Sequence, residues 1–550
     1  MSTQQARTSA RHPHPLLPPE VQERFRREGY WEGRTLAGIV ADWARRDPER
    51  TAVSGPNPLT YGSLWEQARR LAGSLQAAGV QPGQFLLALM SSSWQGVVLE
   101  VAASVMGAVF TPRTPHVSPI GVQHLFDQLG VRGLVLNSEL LDKAEWRSAL
   151  PGLRDRLGGG PLLVQGDLPE GSEFASLPTL EAAAASGPAM DPVEVDPGAP
   201  CLVLSTGGTT GRPKSIVHSS ETIVYAARQF GLATHYSQKD VQVAFAPYGH
   251  AGGSIFDIYM PLLYGASILP IARWQPLPVA EAIAEFGGSF FITMGTHVFD
   301  LLGLETDADR LFHSVRLITS GAGPDELYEN GEARFGFPIV RVYGCSECPG
   351  HAIGRPTDPA GIRWHRDGVP FPGLEHRLID LDTGQTVAPG RSGEYQCRGP
   401  NLFMGYHGQP ELTAEVVTPE GFYRSGDLMV ESGDGYITWA GRTRDVIRRG
   451  GLQIDPLEME NILAGHPAIS EVLVVGEPDE RLGERAAIVA VAADATAAPT
   501  LEELCRFLRE HGIPKQNLPE KLVLTASIPR TELGKFHRVE VKQRLVEGKL

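Results

Sequence analysis

Short apolar segments alternate with helix-like segments over roughly the first 340 residues of this chain. The apolar segments are bounded by Gly, Pro or Ser and lie at residues 85–90, 133–136, 202–204, 241–245 and 315–318. Strands that are covered on both faces have this mainly apolar character. Their alternation with helices predicts an α/β fold in which helices cover the sheets.

The last hundred residues follow a different pattern. Asp455 and Pro456 are typical of a helix start, and that helix should extend to about Ala464. Thr500 and Glu503 form a capping box for a second helix with an apolar stripe. Strand-like runs lie at residues 472–475, 487–491 and 521–526. We expect a small α+β domain over residues 444–550, a large N-terminal domain over residues 21–443 and a flexible tail over residues 1–20.

Composition and charge exclude several functional classes. The chain has 550 residues, of which 42% are hydrophobic and 21% charged, so extensive disorder is excluded and at least two domains are expected. The net charge is −15 without a basic stripe, which argues against nucleic-acid binding. Polar residues interrupt the most apolar stretch, residues 85–110, so we expect no membrane span. No signal peptide is visible, so we expect a cytoplasmic protein. We also expect either a monomer or a homodimer.

The strongest chemical signal is a loop after the predicted strand at residues 202–204. Its glycines let backbone N–H groups converge on one anion, its hydroxyl residues add donors, and its lysine adds positive charge. The loop residues are Ser205, Thr206, Gly207, Gly208, Thr209, Thr210, Gly211 and Lys214. Arg212 and Pro213 precede Lys214, so this is not a Walker A motif. The pattern predicts a polyphosphate site; a flexible surface loop is the alternative.

Seven motifs, in the same order, resemble those of the adenylate-forming superfamily, which includes acyl-CoA synthetases and aryl-acid AMP ligases. They lie at residues 59–61, 205–214, 320–324, 343–347, 423–428, 441–445 and 529–535. The second is the loop described above, and the fourth resembles the YGxTE motif of the family. The resemblance covers almost the whole chain and implies the fold of these enzymes, with a large multi-sheet N-terminal domain and a small mobile C-terminal domain.

The resemblance implies that ATP activates a carboxylic acid by attack of a carboxylate oxygen on the α-phosphorus. Two anions meet in this step, so the site must supply donors and cations. Glu347 is the expected Mg²⁺ ligand, and Lys535 is the expected adenylation lysine. Ser346 and Thr206 are expected to contact phosphate. Nucleotide contacts are expected from Gly321, Ala322, Gly323, Tyr343, Asp427 and Arg442, with Tyr343 on adenine and Asp427 on the ribose hydroxyl groups.

The resemblance also implies a rotation of the C-terminal domain after adenylation. One orientation presents Lys535, and the other presents a glycine-flanked loop that contains Gly450 and Gly451 to the acceptor. Arg444 occupies the hinge position; a passive surface arginine is the alternative. A few loop residues can absorb such a rotation.

Several segments should form the pocket for the acid. The expected residues are Tyr248, His250, Ala251, Gly252, Gly253, Ser254, Thr296, Gly321, Gly344 and Cys345. In the amino-acid-activating domains that this chain resembles, an Asp near the start of this region holds the α-ammonium group. No acidic residue precedes Asp257 here, which argues against α-amino acids. Ala251 replaces the Asn that reads a ring hydroxyl in dihydroxybenzoate and salicylate ligases, but residues 25–31 resemble the start of aryl-acid AMP ligases. We expect an aromatic or alicyclic acid, with a medium-chain fatty acid as the alternative.

The acceptor of the acyl group is open at this point. Coenzyme A is the commonest acceptor in the superfamily and is our first expectation, whereas the pantetheine of a carrier protein and a small nucleophile are alternatives. Two other functional hypotheses are a catalytically silent nucleotide-binding protein and an NTPase that hydrolyses ATP without an acid.

Five cysteines are too few for a disulfide framework in a chain of this length. Cys345 and Cys348 form one CxxC motif, but no second pair has metal-ligand spacing, so the spacing does not favour structural zinc. We interpret Cys345 as a small residue that lines the acid pocket, with redox and metal roles as the alternatives.

Overall fold

A computed structural model of the chain describes residues 12–168, 174–206, 214–305, 307–321, 323–449, 452–530 and 536–550. The chain divides into two compact units. The N-terminal unit contains the residues up to Glu375 and Cys397–Tyr423, and the C-terminal unit contains His376–Gln396 and Arg424–Leu550. Contacts therefore group residues 424–443 with the C-terminal unit, whereas the boundary expected after residue 443 stays a prediction.

A six-stranded sheet lies in the N-terminal unit, and all but its last strand run parallel. In sheet order the strands are Leu162–Gln165, Gly133–Asn137, Phe85–Leu89, Val109–Arg113, Pro200–Thr206 and Lys214–Ser219. Trp146, which is 2% exposed, lies in the core that this sheet forms with the helices Pro119–Leu129 and Ala144–Leu157. The strands are short and apolar because both of their faces are buried.

A nine-stranded sheet in the same unit has parallel strands in its middle and antiparallel strands at both ends. In sheet order the strands are Val369–Pro370, Ala352–Ile353, Ile339–Tyr343, Leu317–Gly321, Phe290–Met294, Val241–Ala244, Ser267–Pro270, Thr51–Val53 and Leu59–Thr60. Phe291 is fully buried in the core that this sheet forms with the helices Pro276–Phe286, Gly295–Leu302 and Asp325–Phe335.

Further helices pack on these sheets. They are Pro19–Arg27, Leu36–Arg46, Tyr61–Ala77, Trp94–Met106, Leu180–Ser186, Ser220–Ala233, Met260–Tyr264, Ala308–Phe312, Ala360–His365 and Pro410–Val416, with a 3₁₀ helix at Ser138–Asp142 and a π-helix at Gly252–Tyr259. Trp94–Met106 is buried on nearly all sides, so the apolar stretch at residues 85–110 is a strand followed by a core helix. Within the described ranges, every helix is too short or too polar to cross a bilayer.

The C-terminal unit contains most of a four-stranded sheet and a complete five-stranded sheet. The first has the strands Glu375–Ile379, Ser392–Arg398, Tyr423–Glu431 and Ile437–Arg442. The second has Leu452–Ile454, Ile447–Arg449, Gly483–Ala492 and Ile469–Asp479 in that order, with Lys521–Leu524 parallel to the third of these.

Helices cover both faces of the five-stranded sheet. Ile488 lies in a core with the helices Pro456–Ala464 and Leu501–Glu510, whereas its neighbours Ala487 and Val489 face the helix Arg538–Val546. Short 3₁₀ helices occur at Ala495–Ala497 and Lys515–Asn517. Alternate residues of one strand thus fill two cores, as the pleat of a strand requires.

Most predicted elements are confirmed. The Asp455 carboxylate accepts from the Leu457 amide at 2.9 Å, and the capping box of Thr500 and Glu503 is formed. The strand predicted at residues 315–318 begins at Leu317 instead. The reason is that the residues before it close the preceding helix, with the Val315 amide bonded to the Phe312 carbonyl at 2.9 Å.

The prediction of a flexible tail over residues 1–20 is wrong for residues 14–20. His14 and Leu17 are only 6% and 5% exposed, and the helix Pro19–Arg27 follows. His14 Nε2 donates to the Leu402 carbonyl at 2.9 Å, and the Gln22 amide group donates to the His14 carbonyl at 2.9 Å. These bonds satisfy buried polar groups over a long sequence separation, which composition does not reveal. Residues 1–11 lie outside the described residues.

Replacement of Ile488 by Ala tests the core of the C-terminal unit. The side chain is fully buried, so truncation leaves a cavity and should lower the free energy of unfolding by about 2–5 kcal/mol. Hydrogen–deuterium exchange of the strand Ile469–Asp479 measures this loss in the C-terminal unit itself. Val539→Ala is the matched control, because Val539 is 48% exposed; equal effects of the two variants would contradict the assignment.

Candidate active site

Four parallel strands of the nine-stranded sheet end at one edge, and predicted site residues follow each of them. The strands are Val241–Ala244, Phe290–Met294, Leu317–Gly321 and Ile339–Tyr343, and Met294 is in register with Gly321. The segments that follow contain His250, Thr296, Gly323 and Glu347 respectively. Ligands of open α/β sheets bind outside this edge. The topology therefore brings the segments that are predicted to contact the acid, the adenine and the metal ion to one side of the sheet.

The strand that precedes the predicted phosphate loop ends against the same region. The Ser205 amide donates to the Gly249 carbonyl at 2.9 Å, so the two sheets of the N-terminal unit meet here. Thr206 pairs with Lys214 across the antiparallel strands. The Thr206 side chain and Gly207, Gly208, Thr209, Thr210 and Gly211 lie outside the described residues, and their phosphate contacts stay a prediction.

Tyr406 links the two predicted charged residues of this unit. Its hydroxyl group donates to Glu347 Oε1 at 2.7 Å, and Lys214 Nζ lies 4.8 Å from the centre of its ring. Burial, and then the Glu347 carboxylate, raise the pKa of Tyr406, which keeps the phenol protonated. In the part of the chain that the structure describes, no basic side chain pairs with Glu347 and no carboxylate pairs with Lys214.

Backbone pairing with the last strand of the six-stranded sheet places Tyr406. The Met404 amide donates to the Val217 carbonyl at 2.8 Å, and the His407 amide donates to the Ser215 carbonyl at 2.9 Å. Sequence reasoning missed Tyr406. Its signal is an aromatic residue next to a glycine, a few residues before the helix Pro410–Val416, which is weak without the contact to Glu347.

His218, on the same strand, fixes the backbone beside the predicted metal ligand. Its Nε2 donates to the Ser346 carbonyl at 2.7 Å, and its Nδ1 lies 3.2 Å from Thr222 Oγ1. The ring is fully buried, and burial lowers its pKa to about 4. A neutral imidazole therefore holds Ser346 and, next to it, Glu347. Sequence reasoning missed His218 because a histidine within a strand belongs to no motif; the phosphate contact of Ser346 itself stays a prediction.

The loop after the strand Ile339–Tyr343 closes on itself. The His351 amide donates to the Tyr343 carbonyl at 3.0 Å, and a Cβ atom at position 344 would lie 3.0 Å from the Gly350 nitrogen. The close approach explains why glycine occupies position 344. Tyr343 and Cys345 are half-buried. Their contacts with adenine and the acid stay predictions, as do those of Gly321 and Gly323; Ala322 lies outside the described residues.

Residues 246–254, which we call the acid segment because most of them are predicted to line the pocket for the acid, lead into a π-helix at Gly252–Tyr259. This type of helix is frequent at functional sites. A Cβ atom at position 253 would lie 2.3 Å from the Pro247 carbonyl oxygen, so only glycine fits there. The Tyr248 hydroxyl donates to the Ser93 carbonyl at 2.8 Å, and the Ser254 hydroxyl donates to the Tyr248 carbonyl at 2.9 Å.

Exposure separates the residues that are predicted to line the acid pocket into two groups. Tyr248 and Ser254 are at most 1% exposed and bond to backbone groups, so they support the segment from inside. His250, Ala251 and Gly252 are half-buried, and Thr296 is exposed. The contact of each of these residues with the acid stays a prediction.

Asp257, in the π-helix, positions the start of the acid segment. Its carboxylate accepts from the Ala246 amide at 3.0 Å and from Gln242 Nε2 at 2.8 Å. The side chain is 2% exposed, and burial raises the pKa of its carboxyl group. The sequence showed only that Asp257 is the first acidic residue of the region. The structure gives it a positioning role that sequence reasoning missed.

Asp427 and Arg442 face each other across two antiparallel strands of the C-terminal unit. They are in register, with Arg442 Nε 3.1 Å from Asp427 Oδ1, and Trp439 Nε1 donates to the same oxygen at 3.3 Å. Asp427 is buried, whereas the Arg442 side chain is 48% exposed. The fold thus brings together two residues that were predicted to contact the nucleotide, and it adds Trp439, which no motif indicated.

Among the other predicted site residues of the C-terminal unit, Arg444 lies within the described residues. The Arg444 side chain is 48% exposed and lies 3.8 Å from Asp445 Oδ1. Its hinge role stays a prediction. Gly450, Gly451 and Lys535 lie outside the described residues.

Comparisons with known proteins identify the family. The model of the AMP-binding enzyme family matches residues 40–407, and the model of its C-terminal domain matches residues 458–535. The chain belongs to the AMP-binding enzyme family. The resemblance to adenylate-forming enzymes is therefore confirmed.

Relatives within the AMP-binding family align along almost the whole chain. The salicyl-AMP ligase/salicyl-S-ArCP synthetase of Mycobacterium tuberculosis is 31% identical over 96% of this chain and 94% of its own length. The medium-chain fatty-acid–CoA ligase of Escherichia coli is 28% identical over 95% and 93%. A crystal structure of an anthranilate CoA ligase with anthranoyl-AMP has a TM-score of 0.81 at 22% identity, over 94% of this chain and 98% of its own. This likeness confirms the predicted fold class.

Replacement of His218 by Gln tests its buried, neutral state. The pKa of His218 in the folded state is about 4, below the ordinary value of 6.5. Between these two pH values the imidazole binds a proton in the unfolded chain but not in the folded protein. The free energy of unfolding therefore falls as the pH drops from about 6.5 to 4. Gln keeps a donor for Ser346 but does not titrate. The slope of unfolding free energy against pH in this window should decrease by up to about 1.4 kcal/mol per pH unit.

Denaturant unfolding at several pH values measures this slope. His313→Gln is the matched control, because His313 lies at the surface. Equal slopes for the His218 variant and the wild-type protein would contradict the assignment.

Proposed function

We propose that this protein activates a carboxylic acid with ATP to an acyl adenylate, releases pyrophosphate and transfers the acyl group to a thiol, with coenzyme A as the acceptor. The observation that supports this most directly is the buried Glu347, which is bonded to Tyr406 beside Lys214 at the edge where both sheets end. A carboxylate held by a phenol, with an ammonium group over the same ring, suits a metal-bound polyphosphate.

ATP-dependent adenylate-forming ligases generally use Mg²⁺ with ATP. The donor set fits such an ion, because Mg²⁺ commonly binds one carboxylate, phosphate oxygens and water. Glu347 would hold it, and the ion would neutralise charge on the phosphates. Lys214 would bind a phosphate oxygen, Tyr406 would orient the Glu347 carboxylate, and His218 would fix its backbone.

The adenylation step forms one bond and breaks one. A carboxylate oxygen of the acid attacks the α-phosphorus, the bond to the bridging oxygen of pyrophosphate breaks, and pyrophosphate leaves. Lys535 would stabilise the negative charge that gathers on the oxygens of the attacking acid and the α-phosphate. Asp427 would accept hydrogen bonds from ribose, with Arg442 and Trp439 holding its carboxylate.

The thiol step follows a rotation about the hinge at Arg444 in this proposal. The sulfur attacks the acyl carbon, AMP leaves, and the thiol proton passes to solvent. Gly450 and Gly451 would form the face that admits the acceptor. Loading of a carrier-protein pantetheine is the alternative, which the name of the relative from Mycobacterium tuberculosis favours.

An aromatic or alicyclic acid is the proposed substrate class. The salicyl-AMP ligase is among the relatives that align with the whole chain, and the half-buried wall at His250, Ala251 and Gly252 is apolar or neutral apart from the imidazole. A medium-chain fatty acid is the second candidate, because the relative from Escherichia coli aligns equally far.

Acid-dependent exchange of pyrophosphate into ATP tests the proposed activity. Glu347→Gln and Lys535→Ala should each lower the exchange rate by about 100-fold or more, because each removes charge stabilisation from the transition state. Tyr406→Phe should lower it by about tenfold, since it removes one hydrogen bond to a charged group. Rates follow from radiolabelled pyrophosphate with a mixture of candidate acids.

Two surface variants are the matched controls for exchange. Glu329 and Lys549 are exposed, so Glu329→Gln and Lys549→Ala should stay within about twofold of the wild-type rate. Nucleotide binding without exchange would instead identify a silent binding protein. Acid-independent release of ADP and phosphate would identify an NTPase.

A substrate panel tests the class of acid. Benzoates and cyclohexanecarboxylate should exceed octanoate in kcat/KM for exchange by about tenfold or more, the discrimination that about 1.4 kcal/mol of pocket contacts gives. Mass spectrometry with coenzyme A, and separately with a pantetheine-loaded carrier protein, then identifies the thioester. Equal and weak rates for all acids would contradict a pocket for a ring.

A further inference from the structure

Three buried side chains of the N-terminal unit place metal-binding atoms close together. They are Cys348, His351 and Cys397, and one donor atom from each lies within 4.8 Å of the other two. None of the three is more than 1% exposed. Thiolates and imidazoles together are typical ligands of zinc and other thiophilic metal ions.

The backbone holds these three residues in place. Cys348 and His351 belong to the closed loop after the strand Ile339–Tyr343, and Cys397 lies in the strand Ser392–Arg398. The Asn401 side-chain amide, four residues after Cys397, donates to the Pro349 carbonyl at 2.9 Å. The two segments are thus joined independently of any metal, so the donor atoms are already in position.

The distance between the sulfur atoms fits a shared metal ion. Cys348 Sγ and Cys397 Sγ are 3.7 Å apart. Two thiolates on tetrahedral Zn²⁺, at bond lengths of about 2.3 Å, lie about 3.8 Å apart. A disulfide requires about 2.05 Å, so the thiols are not at bonding distance.

The CxxC motif indicated a different pair. Cys345 and Cys348 have the CxxC spacing, but the second sulfur of the cluster comes from Cys397, 49 residues after Cys348. Zn²⁺ binds cysteine as the thiolate, so its binding displaces the thiol protons to solvent.

We propose that Cys348, Cys397 and His351 bind one Zn²⁺ ion through two thiolates and one imidazole, with the fourth position outside these three residues. This site is separate from the proposed Mg²⁺ ligand Glu347, since Mg²⁺ binds oxygen atoms and Zn²⁺ prefers thiolates. Bound zinc would tie the loop that contains Glu347 to the strand Ser392–Arg398. The role of the ion is structural, because it fixes a loop of the active site.

Metal titration of the full-length protein tests the site without reference to enzyme activity. After reduction and removal of metal, Co²⁺ serves as the spectroscopic probe and should bind at one ion per chain with a thiolate-to-metal charge-transfer band. One equivalent of Zn²⁺ should displace it. X-ray absorption of the zinc form should show two sulfur neighbours at about 2.3 Å and at least one nitrogen at about 2.0–2.1 Å.

Single replacements identify the ligands. Cys348→Ser, Cys397→Ser and His351→Gln should each weaken Zn²⁺ binding by about 100-fold or more. Cys505→Ser is the matched control and should bind as the wild type does, because Cys505 lies in the C-terminal unit with its thiol 3.4 Å from the Pro519 carbonyl.

Three results would overturn the proposal. One is the absence of a charge-transfer band, and another is a zinc shell of nitrogen and oxygen alone; both measurements use the wild-type protein and do not depend on how the variants fold. The third is a Cys348–Cys397 disulfide that persists in the reduced protein. Circular dichroism checks that each variant is folded before its affinity is compared.

Discussion

A carboxylate buried inside a protein is costly unless donors and a cation reach it, and the N-terminal unit is organised around this requirement at Glu347. The Tyr406 hydroxyl donates to Glu347, and the Lys214 ammonium lies over the same ring. His218 holds the neighbouring carbonyl group. Lys214 and His218 belong to the strand Lys214–Ser219, with which the segment around Tyr406 pairs. One strand therefore sets the positions of the cation, the phenol and the carboxylate together.

Local pairing of charges explains how a chain of net charge −15 can accommodate ATP. Arg341 is bonded to Asp325 and Asp367, and Arg538 is bonded to Glu460, so the charges of these arginines are used within the fold. Lys214 has no carboxylate partner among the described residues and instead lies against an aromatic ring. A cation placed over a ring keeps its N–H groups for another acceptor. The net charge of the chain consequently says little about the charge at its site.

Motifs pointed to the residues that are predicted to contact ligands better than to those that hold them in place. Glu347, Asp427 and Arg442 were predicted because their motifs are contiguous, and the fold brings Asp427 and Arg442 together. Tyr406 and His218 act across 59 and 128 residues of sequence, on Glu347 and Ser346 respectively. Nothing local distinguishes such residues from ordinary members of a strand. The strands and helices themselves were predictable because burial of both faces leaves a continuous apolar pattern.

Glycine in the acid segment has a different meaning in the structure from the one that the sequence suggests. A glycine-rich segment suggests room for a ring, yet a Cβ atom at position 253 would collide with the Pro247 carbonyl oxygen at 2.3 Å. A Cβ atom at position 344 would lie 3.0 Å from the Gly350 nitrogen. Gly253 is thus required by backbone packing, whatever acid binds, and the close approach at position 344 favours glycine there as well. Under the proposed function, selection between a ring and an alkyl chain would therefore come from side chains such as those of His250 and Cys345, which are half-buried.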